Sequence, residues 1–258
     1  METIKRWAVM IVSRRQLYRL RFLFLHPYNA IRFLFSTRSD YSRIEIGEIQ
    51  TYLPNPKVII EAGAADGVDT EIFLTRFPET SVIALEPVRE QYEYLNTKFK
   101  SIENLTIMNL ALSSQSGLSS INLGSSNGNL GGLGSSSLMK PEAHTEFFPE
   151  IAFNKVQEVM AITLKELLHD IESVDLLWLD IQGMEHDVLS SSAETFTKKV
   201  KLLHLEISKV SLYLGMPTER TIRKFLRKEG FDCVIDLVGA ISGNALYLNK
   251  RLIEQGLE

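Results

Sequence analysis

A doubly wound α/β domain on a mostly parallel sheet is what this 258-residue sequence predicts, and three observations carry the prediction. Residues 58–87 read as strand, glycine turn, helix and strand, ending on an acid, Glu86. A second apolar run, 174–179, ends at Asp180 and is followed by a turn at Gly183 and a new helix from about Met184. The runs 231–237 and 245–248 read as a hairpin-like pair that closes such a sheet at an antiparallel edge.

In the first unit, Val58, Ile59 and Ile60 form a short β-branched run that meets a turn at once, as in a strand buried on both faces. Gly63 and Gly67 let the backbone turn tightly and approach a ligand. Ile72, Phe73, Leu74 and Phe77 follow near helical spacing, and Pro78 stops the helix. The next strand ends at Glu86-Pro87, where a doubly wound sheet places the carboxylate that accepts hydrogen bonds from a ribose diol. A nucleoside-containing cofactor is therefore expected. A dinucleotide fingerprint needs G-x-G-x-x-G, but this turn offers Gly63-x-x-x-Gly67, with Ala65 between and Glu61 before it. A carboxylate there repels pyrophosphate and suits a cationic amino-acid end and a sulfonium. S-adenosylmethionine fits that description.

Composition sets the outer bounds. With 45% apolar and 23% charged residues the chain reads as an ordinary soluble globular protein. A net charge of −4 gives no case for nucleic-acid binding. The single cysteine, Cys233, excludes an intrachain disulfide, requires no oxidising compartment and reads as a buried structural thiol. A cytoplasmic location is expected.

Residues 1–45 are read as a basic, aromatic-rich helical extension and 46–258 as the catalytic domain. The extension carries Lys5, Arg6, Arg14, Arg15, Arg19 and Arg21 among Trp7, Tyr18, Phe22 and Phe24, and its arginines interrupt any run long enough to span a bilayer. Packing of residues 1–43 on the catalytic domain or on a second subunit is favoured; peripheral contact with the inner face of the membrane is the alternative. Trp7, Phe22, Phe24, Phe33 and Phe35 offer a homodimer surface.

Further along, residues 41–52 read as a short helix, 89–99 as another, and 105–110 as a third strand whose end, from Asn109 to Ala111 and Leu112, passes the adenine ring. Residues 117–123 read as an added strand. The glycine- and serine-rich run 124–137 is either a lid over the site or a tolerated insertion, with the lid slightly favoured. Thr163 and Glu166 form a capping box. Residues 202–208 read as a strand with His204 and Glu206 on one face, and 219–229 as a basic amphipathic helix.

Glu61-Ala62-Gly63-Ala64-Ala65-Asp66-Gly67, Glu86, the step Asn109-Leu110-Ala111-Leu112, the step Ile162-Thr163-Leu164 and Asp180-Ile181-Gln182-Gly183-Met184-Glu185 together resemble the FkbM family of S-adenosylmethionine-dependent methyltransferases. The likeness covers about residues 58–250. It implies a class I methyltransferase fold, with a Rossmann-like, seven-stranded, mostly parallel sheet and one antiparallel edge strand. It also implies O-methylation of a hydroxyl on a sugar, glycan or small natural product. Members often have a lysine two residues before the aspartate and a glutamate just before the glycine; here Trp178 and Gln182 stand in those places.

Methyl transfer to a hydroxyl needs alignment and a base that takes the proton during attack. Asp180 is the first candidate, with Glu185, His204 and Glu206 behind it. Each has a plainer reading: Asp180 as a helix cap, Glu185 as a first-turn acid favoured by the helix dipole, and His204 as a satisfied inner-strand histidine. Glu61, Gly63, Ala64, Asp66, Gly67, Glu86, Pro87, Asn109, Ala111 and Asp180 are the residues expected to hold the cofactor. No metal is expected, since no spacing among these residues is specific to one. Two other readings stay open: a nicotinamide-dependent oxidoreductase, and a catalytically degenerate scaffold at a membrane surface.

Overall fold

The computed structural model describes residues 44–126, 130–239 and 241–254. Residues 1–43, with the membrane, packing and dimer readings attached to them, lie outside the described residues. From Ile44 the chain runs through α1 (Ile46–Tyr52), β1 (Val58–Ala62), α2 (Val68–Arg76), β2 (Ser81–Leu85), α3 (Arg89–Lys98) and β3 (Leu105–Met108). There follow β4 (Ala111–Ser113), β5 (Gly117–Ser126), a 3-10 turn (Leu130–Ser135), α4 (His144–Phe147) and β6 (Ile151–Thr163). The C-terminal half holds α5 (Leu164–Leu167), β7 (Val174–Leu179), α6 (Glu185–Ser191), α7 (Ala193–Lys199), β8 (Val200–Ser208), α8 (Glu219–Lys228), β9 (Phe231–Asp236), β10 (Ser242–Asn249) and α9 (Lys250–Glu254).

Seven strands form the main sheet in the order β3-β2-β1-β7-β8-β10-β9. The first five pair in parallel, and β10 runs antiparallel to both its neighbours. The expected antiparallel pairing is thus at the β9 edge, with the reversed strand one place in from it. Between β1 and β7 the order of connection switches direction, and an open α/β sheet binds ligands outside the strand ends at such a point. Gly63 follows β1 there, and Asp180 follows β7.

Alternation along the strands sorts the core into two layers. Ile60, Leu177, Leu179, Leu203 and Leu205 face Val188, Leu189, Phe196, Ile222 and Leu226 from α6, α7 and α8. Ile59, Leu176, Trp178, Leu202 and Leu246 face Ile44, Ile49, Phe73 and Phe77 from the chain before β1 and from α2. The Thr163 side chain caps α5 by accepting from the Glu166 N–H, and Glu166 returns the bond, which completes the capping box.

Three strands form a second sheet, in the order β4-β6-β5. Its Ala111, Ile121, Val159 and Ala161 bury Val88 and Leu133, so this sheet builds a wall beside the switch point. The 13-residue β6 has no counterpart in the sequence reading. Lys155, Gln157 and Glu158 interrupt its apolar residues because much of the strand is exposed, which leaves little periodicity to find.

Cys233 corrects an expectation: its thiol is exposed. The β9–β10 register shifts between Leu246 and Tyr247, where Leu246 opposes Ile235 but Tyr247 opposes Cys233. That bulge breaks the alternation of an edge strand and leaves Asp232 and Cys233 both exposed.

Candidate active site

The turn after β1 is held against two other loops by its backbone. At Gly63, φ is +89° and an added Cβ would lie 1.9 Å from the Asp180 carbonyl oxygen, so the chain after β1 touches the chain after β7 directly. Ala65 takes a φ of +49°, unusual for a residue with a Cβ. Its N–H donates to Glu86 Oε2 at 2.8 Å, and the Val88 N–H donates to Oε1 at 2.7 Å. Each carboxylate oxygen keeps a lone pair for a further donor. Burial pushes the Glu86 pKa up to about 7 against the pull of those two backbone N–H groups. Asn109 Nδ2 donates to the Glu86 and Pro87 carbonyl oxygens at 2.8 and 3.0 Å and so fixes the loop from outside.

A cleft of about 610 Å³, open mouth included, lies between these loops. Gly63, Ala65, Glu86, Pro87, Val88 and Gln91 line one side, and Asp180, Ile181, Gln182 and Met184 the other. Leu110, Ala111, Leu112, Ile121, Leu133 and Leu138 give an apolar wall, completed by Gly134 and Ser136. The described part of the glycine- and serine-rich run therefore lines the cleft. It is tied down where Asn122 Nδ2 donates to the Ser137 and Met139 carbonyl oxygens at 3.2 and 3.0 Å.

On the far side the backbone is again bent, with φ of +50° at Gln182 and +104° at Gly183. Buried Glu185, at the start of α6, reaches back to accept from the Ile181 and Gly183 N–H groups at 3.1 and 3.0 Å. Burial raises its pKa to about 8. Ser137 Oγ donates to the Gln182 carbonyl oxygen at 2.7 Å. Gln182 Nε2 donates to Asp180 Oδ1 at 2.6 Å and to Glu206 Oε2 at 2.9 Å. Burial, with the Glu206 charge beside it, drives the Asp180 pKa well above the carboxylate range; burial and the Glu185 charge raise that of Glu206.

Of the residues expected to do chemistry, Asp180, Glu185 and Glu206 come together around Gln182. His204 does not join them. It sits one alternation lower on β8, buried, with its ring stacked on Trp178 at 3.3 Å between centroids and 6° between planes. Burial holds its pKa down near 3 against a smaller opposing pull from the Asn244 side chain. Of the residues expected at the cofactor, Gly63, Glu86, Pro87, Ala111 and Asp180 line the cleft. Glu61, Ala64, Asp66, Gly67 and Asn109 support it from behind. Glu61 is buried under the turn, accepting from Thr70 Oγ1 at 2.5 Å, and burial raises its pKa to about 8. Ala64 packs on Ala84, Leu95 and Phe99. Gly67 starts α2 with a φ of +72°, and an added Cβ there would meet Leu95 and Phe99 at 2.6 and 2.7 Å. Asp66 Oδ1 accepts from the Val68 N–H at 3.2 Å.

Sequence reasoning missed Gln182 as the centre of this network, together with Tyr213, whose hydroxyl donates to Gln182 Oε1 at 2.9 Å. The signal for Gln182 was its departure from the expected glutamate, which marked the position without giving its role.

The fold and cleft define a Rossmann-like domain with a buried carboxylate, Glu86, at its switch point, the arrangement of class I methyltransferases. Residues 61–233 match the Methyltransferase FkbM domain, and the chain belongs to that family; its reaction is S-adenosylmethionine-dependent methyl transfer. It is 26% identical over 202 residues to the 2-O-methyltransferase NoeI of Sinorhizobium fredii, covering 77% of this chain and 82% of that protein. Similar solved structures include the N-terminal domain of EvdMO1 with S-adenosylhomocysteine bound, at 12% identity and a TM-score of 0.45, covering 92% of this chain and 96% of that one. Another is Aeropyrum pernix fibrillarin with natively bound S-adenosylmethionine, at 11% identity and a TM-score of 0.42, covering 75% of this chain and 66% of that one. The family match leaves the nicotinamide and scaffold readings without support.

Proposed function

We infer that the chain transfers a methyl group to a hydroxyl oxygen of a neutral sugar, glycan or polyhydroxylated natural product, with Asp180 taking the hydroxyl proton. The observation that carries this is the position of Asp180: at the C-terminal end of β7 it lines the same cleft as Glu86. No lysine, arginine or histidine lines the cleft among the described residues, which favours an uncharged acceptor over a phosphorylated or carboxylated one. The 2-O-methyltransferase activity named for the NoeI relative supports oxygen as the atom methylated.

The residues present fit the methyl donor. Glu86 retains acceptor capacity for a ribose diol, Leu110, Ala111 and Leu112 offer an apolar wall for adenine, and the carboxyl-rich end near Gly63 and Asp180 suits a cationic amino-acid end. When bound, S-adenosylmethionine supplies a methyl group activated by a sulfonium. The protein aligns the acceptor, excludes water beneath Leu133, and receives the proton. His204 is assigned to packing and Glu185 to holding the loop.

Methyl-labelled S-adenosylmethionine incubated with a panel of neutral glycosides tests this reading. Transfer to oxygen is expected, and Asp180→Asn should lower kcat by about 10²–10⁴. Full activity in that variant would remove Asp180 from the role. No helix among the described residues is long and apolar enough to cross a membrane. We place the enzyme in the cytoplasm, without membrane contact through residues 1–43. Equal liposome flotation with and without those residues is expected; a loss on their removal would favour membrane contact.

A further inference from the structure

Two buried carboxyl groups share a single amide. Gln182 Nε2 has two hydrogens, and it directs one to Asp180 Oδ1 at 2.6 Å and the other to Glu206 Oε2 at 2.9 Å. Both carboxyl groups are thus brought to one nitrogen, and two carboxyl groups so placed disfavour double ionisation and share a proton more readily than either does alone.

The Gln182 amide is fixed in that orientation from three directions. Its carbonyl-side atom Oε1 lies 2.9 Å from the Tyr213 hydroxyl, which is also 2.8 Å from the Ser135 carbonyl oxygen and donates to one of the two at a time. Its backbone oxygen is held by Ser137 Oγ, and its φ of +50° is imposed by the loop that Glu185 clamps. Tyr213 is buried in turn against His144 and Phe153. A glutamate at 182 would place a third carboxylate at these distances, so the residue that departs from the family pattern is the one that lets the other two approach.

We propose that Asp180 and Glu206 act as one proton-sharing pair, held by Gln182 and Tyr213 as positioning residues, and that this pair rather than Asp180 alone takes the acceptor's proton. This rests on the methyl-transfer reading above. In the reaction the acceptor's O–H bond breaks as its oxygen bonds to the methyl carbon. The donor's carbon–sulfur bond breaks with its electron pair staying on sulfur, and the hydroxyl proton passes to the singly protonated pair and then to solvent. The other titratable groups acting on the pair are Asp69 from α2, Glu185 from α6 and Tyr213; the pair acts in turn on Glu61 and Glu86.

Carboxyl ¹³C NMR of the free protein, labelled at aspartate and glutamate, tests the pair without cofactor or acceptor, and Asp180→Asn and Glu206→Gln assign the signals. The two groups are expected to titrate in two linked steps at least two pH units apart. Glu206→Gln should lower the remaining Asp180 step by at least one unit. Tyr213→Phe, which keeps both carboxyl groups but frees the amide, should raise the second step. Two independent titrations in the usual carboxylate range, unmoved by Tyr213→Phe, would overturn the proposal. Binding of S-adenosylmethionine, followed by calorimetry on the same samples, separates the two ideas: linked titration without binding refutes the methyl-transfer reading and leaves the pair, whereas binding with ordinary titrations does the reverse.

Discussion

Gly63→Ala is the sharpest test of how the two halves of the site meet. The new Cβ would sit 1.9 Å from the Asp180 carbonyl oxygen and 2.9 Å from its carbonyl carbon, both backbone atoms that no rotamer change can move aside. The substitution also forces an L side chain to φ of +89°. Left-handed strain costs about 1–3 kcal/mol, and overpacking a close contact costs about 1–3 kcal/mol or more, so a loss of roughly 2–6 kcal/mol is expected. At about 2–4 °C per kcal/mol for a domain of this size, Tm should fall by roughly 4–24 °C. S-adenosylmethionine affinity should fall with it, because the loops after β1 and β7 must part. Gly47→Ala in α1, where an added Cβ meets nothing within 4 Å, is the control, and should gain about 0.5–1 kcal/mol. Thermal unfolding of the three proteins decides the matter. A Gly63→Ala protein with the Tm of its parent would refute the contact between the strand ends on which the site is built.

Other consequences follow from the same geometry. Burial raises the pKa values of Glu61 and Glu185 to about 8 and that of Glu86 to about 7 from 4.5. The folded protein therefore retains protons that the unfolded chain loses as pH rises from about 4.5. Stability of the free protein should decline between about pH 5 and pH 8, seen as a falling urea midpoint; a midpoint that rises over that interval would contradict the assigned burial. Trp178→Ala removes the partner of both Phe73 and His204 and should cost about 3–5 kcal/mol of stability, measured by denaturant unfolding. Leu133→Ala opens the apolar wall and, because Leu133 is buried, should cost about 2–5 kcal/mol of stability and weaken cofactor binding, measured by denaturant unfolding and calorimetry.

The sequence was most readable where backbone and burial act together. Val58 to Ile60, the glycines of the turn and Glu86 show their role because a buried parallel strand, a tight turn and a carboxylate at a strand end each restrict residue type. The same logic placed Asp180 at the cleft. It could not separate Glu61 from Glu86, since both are acids near a strand end and only packing decides that one meets Thr70 and the other the cleft. It placed His204 and Glu206 on one face correctly, but alternation carries no depth, and one step along β8 separates a residue stacked under Trp178 from one that reaches Asp180. Tyr213 arrives from a segment without periodicity, and its approach to the site is set wholly by tertiary packing.

Calorimetric titration of the purified protein with S-adenosylmethionine, S-adenosylhomocysteine and NAD, beside Glu86→Ala, tests the central claim most directly. Micromolar binding of the first two, no binding of NAD, and at least a tenfold loss in the variant are the predicted results. Failure of the two sulfur cofactors to bind, or equal binding by Glu86→Ala, would contradict the assignment of this cleft.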